Sequence, residues 1–291
     1  MQDLLAAADR GHLDVDGCPI AWARWTPVHP AQPVQPAQPA QPRPPIALVH
    51  GAGGHIGWWE AVIGPLTTAG HAVLALELSG HGGSGHRDAY GAEIWAREVL
   101  AVIRDIGGGP ALLTGHSLGG RVAICAAAAD PALVPRLVLV DSPVRRPGVD
   151  RPRMLPPRPG PRRIHATLEE AVRTFRLRPR EPVADEALLG RVAAAAFAKH
   201  EGEGGWSLRT DLSVFGRISD EVIADALARY THPLTLIYGT RSTVVDGAGR
   251  DFLMEAHAGR TELVGIEGHH HLTLDQGADV AAVIAERWAL L

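Results

Sequence analysis

The sequence predicts an α/β fold, with a mostly parallel central sheet, helices on both faces and an inserted helical cap. Three observations indicate this fold. Short apolar runs alternate with helical patterns along a chain of 291 residues, as expected for parallel strands that are buried on both faces. Turns rich in glycine and histidine follow several of these runs, at the sheet edge where such folds collect their chemistry. The length suits one large core domain that carries a modest insertion.

Six apolar runs are predicted to be strands, and two longer amphipathic patterns are predicted to be helices. The strands lie at 46–49, 72–76, 111–113, 137–140, 234–238 and 262–266, and the helices lie at 92–106 and 118–129. Because strands and helices alternate, consecutive strands are expected to run parallel, with helices covering both faces of the sheet.

A proline-rich segment, residues 27–45, interrupts this alternation. Proline occurs at every third position from Pro30 to Pro42, which matches the three-residue turn of polyproline II. Proline also lacks the backbone donor that a sheet needs. The segment is therefore predicted to be an extended surface excursion between two strands.

A second interruption is predicted to be a mostly helical cap. The predicted division of the chain is a core formed by 1–142 and 231–291, and a cap formed by 143–230. The spacing of Thr167 and Glu170 matches a capping box at the start of a helix. The alanine-rich stretch 187–200 is predicted to be a second helix of the cap.

Composition and charge exclude several classes of protein. Apolar residues make up 46% of the chain and charged residues 21%, which is typical of a globular protein. The formal charge of -4 offers no overall basic field for nucleic acid or for anionic membranes, so neither partner is expected. Cys18 and Cys125 cannot form a disulfide framework, and the opening residues lack the basic and apolar regions of a signal peptide. A cytoplasmic location is therefore expected, and the oligomeric state stays open.

The strongest chemical signal is the pentapeptide Gly115-His116-Ser117-Leu118-Gly119, which has the form G-x-S-x-G. It lies between a predicted strand and an alanine-rich helix, and in that context the serine is a nucleophile on a strained turn. The serine then lies at a helix N-terminus, where N–H groups and the helix dipole stabilise developing negative charge. Ser117 is therefore the candidate nucleophile.

A second signal is the turn Gly51-Ala52-Gly53-Gly54, which follows the first predicted strand. A glycine-rich turn at this place can direct backbone N–H groups toward the serine. The N–H groups of Ala52 and Leu118 are the candidate oxyanion hole, with the N–H of Gly53 as the alternative donor.

Three consecutive histidines, His269, His270 and His271, follow the last predicted strand. A general base must come from a loop at the same sheet edge as the serine, and this is the last such loop. The candidate base is therefore among these histidines.

Together these pieces resemble the serine hydrolases of the α/β-hydrolase fold. The resemblance rests on the turn 50–54, the glycine-rich turn 77–84, the pentapeptide 115–119 and the late histidines. They occur in the family's order and span nearly the whole chain apart from the insertion, which lies where the family carries its cap. The resemblance implies acyl transfer through an acyl-enzyme, without a cofactor. Family members similar to haloalkane dehalogenases or epoxide hydrolases carry aspartate at the nucleophile position, so the serine counts against both.

The resemblance also orders the candidates for the base. In the family the base follows a glycine and precedes a short apolar stretch and an acidic residue. Counted back from Asp275, His270 is the best match, and His269, which directly follows Gly268, is the alternative.

The acid of the triad departs from the family's commonest pattern. The position that usually holds the acid, in the turn after the cap, is Ser242, and serine cannot stabilise an imidazolium by charge. Asp141 ends the strand next to the nucleophile strand, where some family members carry the acid, and it is favoured because a strand end is a rigid platform. Asp246, which lies past Ser242, is the alternative.

The predicted substrate pocket combines residues of these turns with one tryptophan of the cap. Its members are His50, Gly53, Trp58, His116 and Trp206. Trp58 and Trp59 are adjacent, so one is expected to face the site while the other packs on the sheet. No metal site is expected, because adjacent histidines rarely point at one ion. The arginines between Arg145 and Arg163 are predicted to be solvated, with the binding of an anionic substrate as the alternative.

The sequence therefore predicts a cofactor-free hydrolase of carboxylic esters whose partner is a small ester-like molecule. Lactones, thioesters and diketones cleaved at a carbon–carbon bond stay open as substrates. A second class of function, a catalytically silent protein of the same fold that binds a small ligand, stays open because of Ser242.

Overall fold

A sheet of eight strands is the central feature of the fold. A computed structural model describes residues 4–27, 44–149, 163–199 and 204–291. The strands in these residues are β1 (Asp9–Val15), β2 (Cys18–Trp25), β3 (Ile46–Val49), β4 (Val73–Leu76), β5 (Leu112–His116), β6 (Arg136–Val140), β7 (Phe197–Lys199), β8 (Trp206–Leu208), β9 (Leu234–Gly239) and β10 (Thr261–Ile266). The sheet has the order β1-β2-β4-β3-β5-β6-β9-β10. The pairs β1–β2 and β2–β4 are antiparallel, and the other neighbours in the sheet are parallel.

Helices cover the sheet and also lie in the segment that is predicted to form the cap. Those in the described residues are α1 (Glu60–Thr68), α2 (Ala92–Asp105), α3 (Leu118–Ala129), α4 (Leu168–Thr174), α5 (Glu186–Ala195), α6 (Asp220–Arg229), α7 (Gly247–Ala256), α8 (Leu272–Asp275) and α9 (Gly277–Trp288), with 3₁₀ turns at Ile56–Trp59 and Leu212–Val214. None of these helices has both the length and the apolar surface that crossing a bilayer requires.

The alternation of side chains along each strand divides the core into two layers. On β3, Ala47 and Val49 lie in one layer, together with residues of α2, α3, α6 and α7. Ile46 and Leu48 lie in the other layer, together with residues of α1 and α9. The predicted arrangement, a mostly parallel sheet with helices on both faces, is confirmed.

All six predicted strands are present, and the largest difference is at the end of β5, which continues to His116. The antiparallel pair β1–β2 has no counterpart among these predicted apolar runs. The reason is that β1 lies at the edge of the sheet with most of its side chains exposed or half-buried, so its sequence lacks the apolar run by which the inner strands were recognised.

The segment predicted to form the cap contains a small sheet as well as helices. Its first helix, α4, begins as predicted, with Thr167 Oγ1 accepting a hydrogen bond from Glu170 N–H at 3.2 Å. The prediction of one helix over 187–200 is wrong in its second half, because α5 ends at Ala195 and β7 follows. Phe197 of β7 is buried against Ala171 and Ala196, so tertiary packing overrides the helix propensity of the alanines.

The last helix within the predicted cap packs on the core. Ile223, Ala226 and Leu227 of α6 are buried in the same cluster as residues of α3. Arg121 of α3 also donates a hydrogen bond to Asp220 at 2.9 Å, and both side chains are buried. Most of the proline-rich segment (28–43) and most of the arginine-rich start of the cap (150–162) lie outside the described residues.

Candidate active site

The candidate residues come from loops at one edge of the sheet. The parallel strands β3, β5, β6, β9 and β10 all end there, and the register pairs the last residues of neighbouring strands, for example His116 with Val140 and Ile266 with Gly239. The loops that follow these strands carry the predicted nucleophile, oxyanion turn, acid and base. The topology therefore brings distant parts of the sequence to one place, as expected for parallel sheets.

Ser117 occupies a strained turn between β5 and α3. Its φ is 54° and its ψ is -116°, a conformation that costs a non-glycine residue about 1–3 kcal/mol. The flanking glycines permit this turn, since a Cβ at Gly119 would lie 2.3 Å from Val49 O and a Cβ at Gly115 would lie 2.3 Å from Gly119 O. The turn holds the Ser117 side chain at the sheet edge and at the start of α3.

Ser117, His270 and Asp141 form a chain of hydrogen bonds. His270 Nε2 lies 3.1 Å from Ser117 Oγ, and His270 Nδ1 lies 2.6 Å from Asp141 Oδ2. Because the carboxylate accepts the Nδ1 proton, the lone pair of the neutral imidazole is on Nε2 and faces the Ser117 hydroxyl. All three residues are buried. This is the geometry that a serine nucleophile and its base require.

The Asp141 carboxylate is held by three donors. Oδ1 accepts from Gly239 N–H at 2.9 Å, and Oδ2 accepts from Ser242 Oγ–H at 2.6 Å in addition to His270. Ser242 Oγ in turn accepts from Val244 N–H at 3.1 Å. Ser242 therefore does not replace the acid but orients it, and the carboxylate is supported by the last residue of β9 and by the turn that follows it.

The two alternative candidates lie elsewhere. Asp246 is the N-cap of α7, where its Oδ1 accepts from Gly249 N–H at 2.7 Å. His269 is half-exposed, and its carbonyl packs on Gly239, where a Cβ would lie 2.4 Å away. The structure thus brings His270 and Asp141, rather than His269 and Asp246, to Ser117.

Ala52 and Leu118 lie on the two turns that flank Ser117. Leu118 is the first residue of α3, so its N–H has no partner within the helix. Among the described residues, no hydrogen bond is donated by the N–H of Ala52 or of Leu118. The two turns touch, since a Cβ at Gly51 would lie 3.2 Å from Ser117 Cβ. Both N–H groups are therefore available for an oxyanion beside Ser117.

A small void of about 10 Å³ lies beside Ser117 and is bordered by His116, His270 and His271. His116 Nε2 donates to His270 O at 3.0 Å, and His271 Nε2 donates to Pro179 O at 3.1 Å. Burial lowers the pKa of His116 well below its ordinary value and lowers the pKa of His271 to about 3. Both imidazoles are therefore neutral and polar without adding positive charge to the site.

Within the described residues, His116, His270 and His271 are close enough together to hold a metal ion. One ring nitrogen of each lies within 4.8 Å of the others. His270 and His271 are consecutive in the loop after β10, and His116 joins them from the last position of β5. Both ring nitrogens of His270 are already engaged, by Asp141 and by Ser117. An ion on this group would therefore displace one of these two hydrogen bonds.

The predicted pocket residues divide into two groups. Gly53, Trp58 and His116 border the site, and Trp58 faces it while its neighbour Trp59 is buried in the core, as the sequence argument expected for adjacent tryptophans. The structure does not bring the other two to the site. His50 is fully buried, with Nδ1 donating to Gly51 O and Nε2 accepting from Leu78 N–H. Trp206 lies in β8 and packs within the cap.

The lowered pKa values of His50 and His81 are expected to make the stability of the fold depend on pH. Burial, with His81 as neighbour, lowers the pKa of His50 to about 3, and burial lowers the pKa of His81 to about 4. An unfolded histidine has a pKa of about 6.5. Between these values the unfolded chain binds protons that the folded chain does not. The free energy of unfolding should therefore fall by about 1 kcal/mol per histidine between pH 8 and pH 5.5.

Urea unfolding at pH 8 and at pH 5.5 measures this effect. In His81→Gln the difference in the free energy of unfolding between pH 8 and pH 5.5 should be about 1 kcal/mol smaller than in the wild type, whatever the variant's stability at pH 8. His12, an exposed histidine on β1, provides the control, and His12→Gln should keep the wild-type difference. An unchanged difference in His81→Gln would contradict the assignment.

A wide cleft of about 650 Å³ separates the cap from the core beside this void. The core borders it with Ala52, Gly53 and Trp58. The cap contributes apolar side chains from several of its elements, namely Phe175, Phe197, Leu208 and Phe215. The volume suits a small organic ligand, and the mainly apolar walls suit an acyl chain.

The sequence profile of the alpha/beta hydrolase family matches residues 46–283. The chain belongs to this family. The match includes β3 to β10 and the residues Ser117, Asp141 and His270.

Curated relatives match this alpha/beta hydrolase over part of their length. Esterase Rv0045c of Mycobacterium tuberculosis is 38% identical over 100 residues, which are 34% of this chain and 33% of that protein. The sn-1-specific diacylglycerol lipase ABHD11 of Xenopus laevis is 33% identical over 99 residues, 34% of this chain and 32% of that protein. The aligned part of this alpha/beta hydrolase thus spans about a third of the length of these relatives.

Solved structures resemble this alpha/beta hydrolase over nearly its whole length. The thioesterase domain from the curacin biosynthetic pathway superposes with a TM-score of 0.76 at 21% identity, covering 96% of this chain and 99% of that one. Esterase Rv0045c of Mycobacterium tuberculosis superposes with a TM-score of 0.73 at 22% identity, covering 97% and 91%. At these identities the likeness shows the shared fold.

Sequence reasoning missed three residues of this alpha/beta hydrolase's site. Ser242 orients Asp141, whereas the sequence showed only that the family's usual acid is absent from this position after β9. Glu181 Oε2 accepts from His270 N–H at 2.8 Å, and Arg178 borders the void beside Ser117. Glu181 and Arg178 lie in a cap stretch rich in arginine and proline, where the composition carried no signal of a contact with the core.

Proposed function

We propose that this protein is a serine hydrolase of carboxylic esters, in which Ser117 is the nucleophile, His270 the general base and Asp141 the acid of the triad. The observation that carries the proposal is the pair of hydrogen bonds at 3.1 and 2.6 Å that joins Ser117 through His270 to Asp141. The strained backbone of Ser117 supports it, because left-handed φ values at non-glycine residues cluster at active sites. Relatives named esterase and diacylglycerol lipase support an ester as the substrate.

In the first half of the reaction Ser117 Oγ attacks the carbonyl carbon while its proton passes to His270 Nε2. The carbonyl π electrons move to the oxygen, and this oxyanion accepts hydrogen bonds from the N–H groups of Ala52 and Leu118. Each such donor stabilises the transition state by about 3–4 kcal/mol. Asp141 stabilises the imidazolium. His270 then gives the proton to the alcohol oxygen as the ester bond breaks, which leaves an acyl-enzyme.

In the second half a water molecule attacks the acyl carbonyl and gives a proton to His270 Nε2. The carbon–oxygen bond to Ser117 breaks, and the proton passes from His270 to Ser117 Oγ. The products are a carboxylic acid and an alcohol, and the enzyme is restored without a cofactor.

Ser242 favours the enzyme over a catalytically silent ligand-binding protein. Its place in the family's acid position had kept the second role open. Its hydroxyl donates to Asp141 Oδ2 at 2.6 Å, on the same oxygen that accepts from His270. This contact orients the carboxylate toward His270, which is what a triad acid requires.

Labelling with a fluorophosphonate probe tests the proposal. The folded protein should be labelled at Ser117 and should hydrolyse nitrophenyl esters, while heat-denatured protein and Ser117→Ala should do neither. A folded wild-type protein that neither reacts with the probe nor hydrolyses nitrophenyl esters would overturn the proposal and favour the ligand-binding role.

A further inference from the structure

Arg178 lies where the void beside Ser117 opens into the cleft under the cap. It borders both spaces, as do Ala52, Trp58 and Phe215. Arg178 is the charged residue among those that border both. A ligand whose carbonyl occupies the void and whose remainder fills the cleft must therefore pass Arg178.

The segment around Arg178 is attached to the loop that carries the candidate base. His271 Nε2 donates to Pro179 O at 3.1 Å, and His270 N–H donates to Glu181 Oε2 at 2.8 Å. On the other side, Leu177 is buried in a cluster with Trp58. The backbone on both sides of Arg178 is thus held against the active site, so the arginine lies at a defined place next to the triad.

The charges of the cleft are predominantly positive. Arg163, Arg176 and Arg178 border it, and the acidic residue among the residues that border it is Asp211. The Asp211 oxygens accept from Tyr90 Oη–H at 3.0 Å and from Ser213 N–H at 2.8 Å. The wall of the cleft therefore carries an excess of positive charge.

Arg178 has no acceptor for its guanidinium donors within the described residues, whereas two other arginines of the same stretch have their donors engaged. Arg176 Nη1 donates to the carbonyls of Arg173 and Phe175, and Arg173 pairs with Glu169 at 2.8 Å. Within the described residues no acceptor takes a hydrogen bond from Arg178, and no carboxylate pairs with it. Glu181, the nearest acidic residue in sequence, is engaged with the backbone of His270.

We propose that Arg178 binds a carboxylate of the substrate, so that the natural substrate is an ester whose acyl half carries a free carboxylate in addition to the ester group. The proposal rests on the proposed function, since it names the substrate class of the same site. A planar guanidinium matches a carboxylate through two parallel hydrogen bonds. The acyl half is the part of the substrate that becomes bonded to Ser117 in the acyl-enzyme. Ser117 and Arg178 border the same void, so Arg178 lies close to that half.

A matched pair of substrates tests this proposal. Monomethyl adipate and methyl hexanoate have acyl chains of the same length and differ in the terminal carboxylate. The wild-type kcat/KM should be at least about tenfold higher for monomethyl adipate. In Arg178→Gln that ratio should fall by about tenfold or more, chiefly through a higher KM for the acid ester, and Arg178→Lys should recover part of it because the charge is kept.

Arg173→Gln is the matched control, since Arg173 is an exposed arginine of the same cap outside the cleft, and it should keep the wild-type ratio. Equal kcat/KM values for the two esters in the wild type, or an equal loss on both in Arg178→Gln, would overturn the carboxylate assignment while leaving the ester hydrolase intact. Absence of turnover of either ester, together with no fluorophosphonate labelling of Ser117, would overturn the proposed function itself.

Discussion

Replacing His270 with alanine is expected to lower kcat for a nitrophenyl ester by about 10⁴-fold or more. The variant removes the group whose Nε2 lies 3.1 Å from Ser117 Oγ, and no other described imidazole forms a hydrogen bond with that hydroxyl. KM should change much less than kcat, because the base acts in the transition state rather than in binding the ester. Steady-state kinetics on purified protein measure the effect.

His269 provides the matched control for this prediction. It is adjacent in sequence, half-exposed and without a hydrogen bond to Ser117 or Asp141, so His269→Ala should keep kcat within about threefold. Added imidazole should restore part of the activity of His270→Ala if that variant is folded and only its base is missing. A comparable loss in both variants would instead indicate that the loop, rather than the His270 ring, was disturbed.

Replacing Asp141 with asparagine is expected to lower kcat by about 10³- to 10⁴-fold. The asparagine oxygen can still accept from Gly239 N–H, so the turn keeps its support. Its amide nitrogen, however, faces His270 Nδ1 as a donor. The imidazole must then carry its proton on Nε2, where it can no longer accept the proton of Ser117.

Asp246→Asn tests the alternative acid in the same assay. Asp246 caps α7 through Gly249 N–H, and asparagine caps a helix about as well as aspartate, so this variant should remain folded with kcat within about threefold of the wild type. If Asp141→Asn kept near-wild-type turnover while Asp246→Asn lost it, the acid would be Asp246. Circular dichroism of both variants separates a lost triad from a lost fold.

The sheet could be predicted from the sequence because its inner strands are buried on both faces. Burial on both faces forces runs such as Ile46–Val49 to be apolar throughout, and this signal is local. The edge strand Asp9–Val15 and the short strand Phe197–Lys199 carry no such run. Their pairing is decided by the partner strand, for example Trp22 opposite Gly11 and Leu208 opposite Phe197, and not by an apolar run of their own.

The candidate nucleophile could likewise be identified from local sequence. Glycine at 115 and 119 is required by the close approach of backbone atoms around Ser117, so the turn leaves a pattern that can be recognised in five residues. The base was found from its spacing to Asp275, and the structure brings that histidine to Ser117. Asp275 itself accepts from Ala184 N–H at 2.9 Å, which links the cap to the loop of the base.

The function of Ser242 could not be predicted, because its sequence position indicates only that an acid is missing there. The finding depends on a distance of 2.6 Å between residues of two different loops, one after β6 and one after β9. The same holds for Arg178, which lies in a stretch whose composition is typical of a solvated surface. Its place beside Ser117 follows from hydrogen bonds between the cap and the loop of the base, and neither partner carries a sequence signal for them.

The sequence by itself determined the alternation of buried strands and helices, the strained serine turn and the short list of candidate bases and acids. These are local requirements, since burial, tight turns and helix starts each restrict the residues at one stretch of chain. Only the tertiary structure decided that His270 and Asp141 meet at Ser117, that Ser242 supports the acid, and that Arg178 lies where the void beside Ser117 opens into the cleft. Each of these depends on the packing of segments that lie far apart in the chain, and such packing leaves no pattern in any one of them.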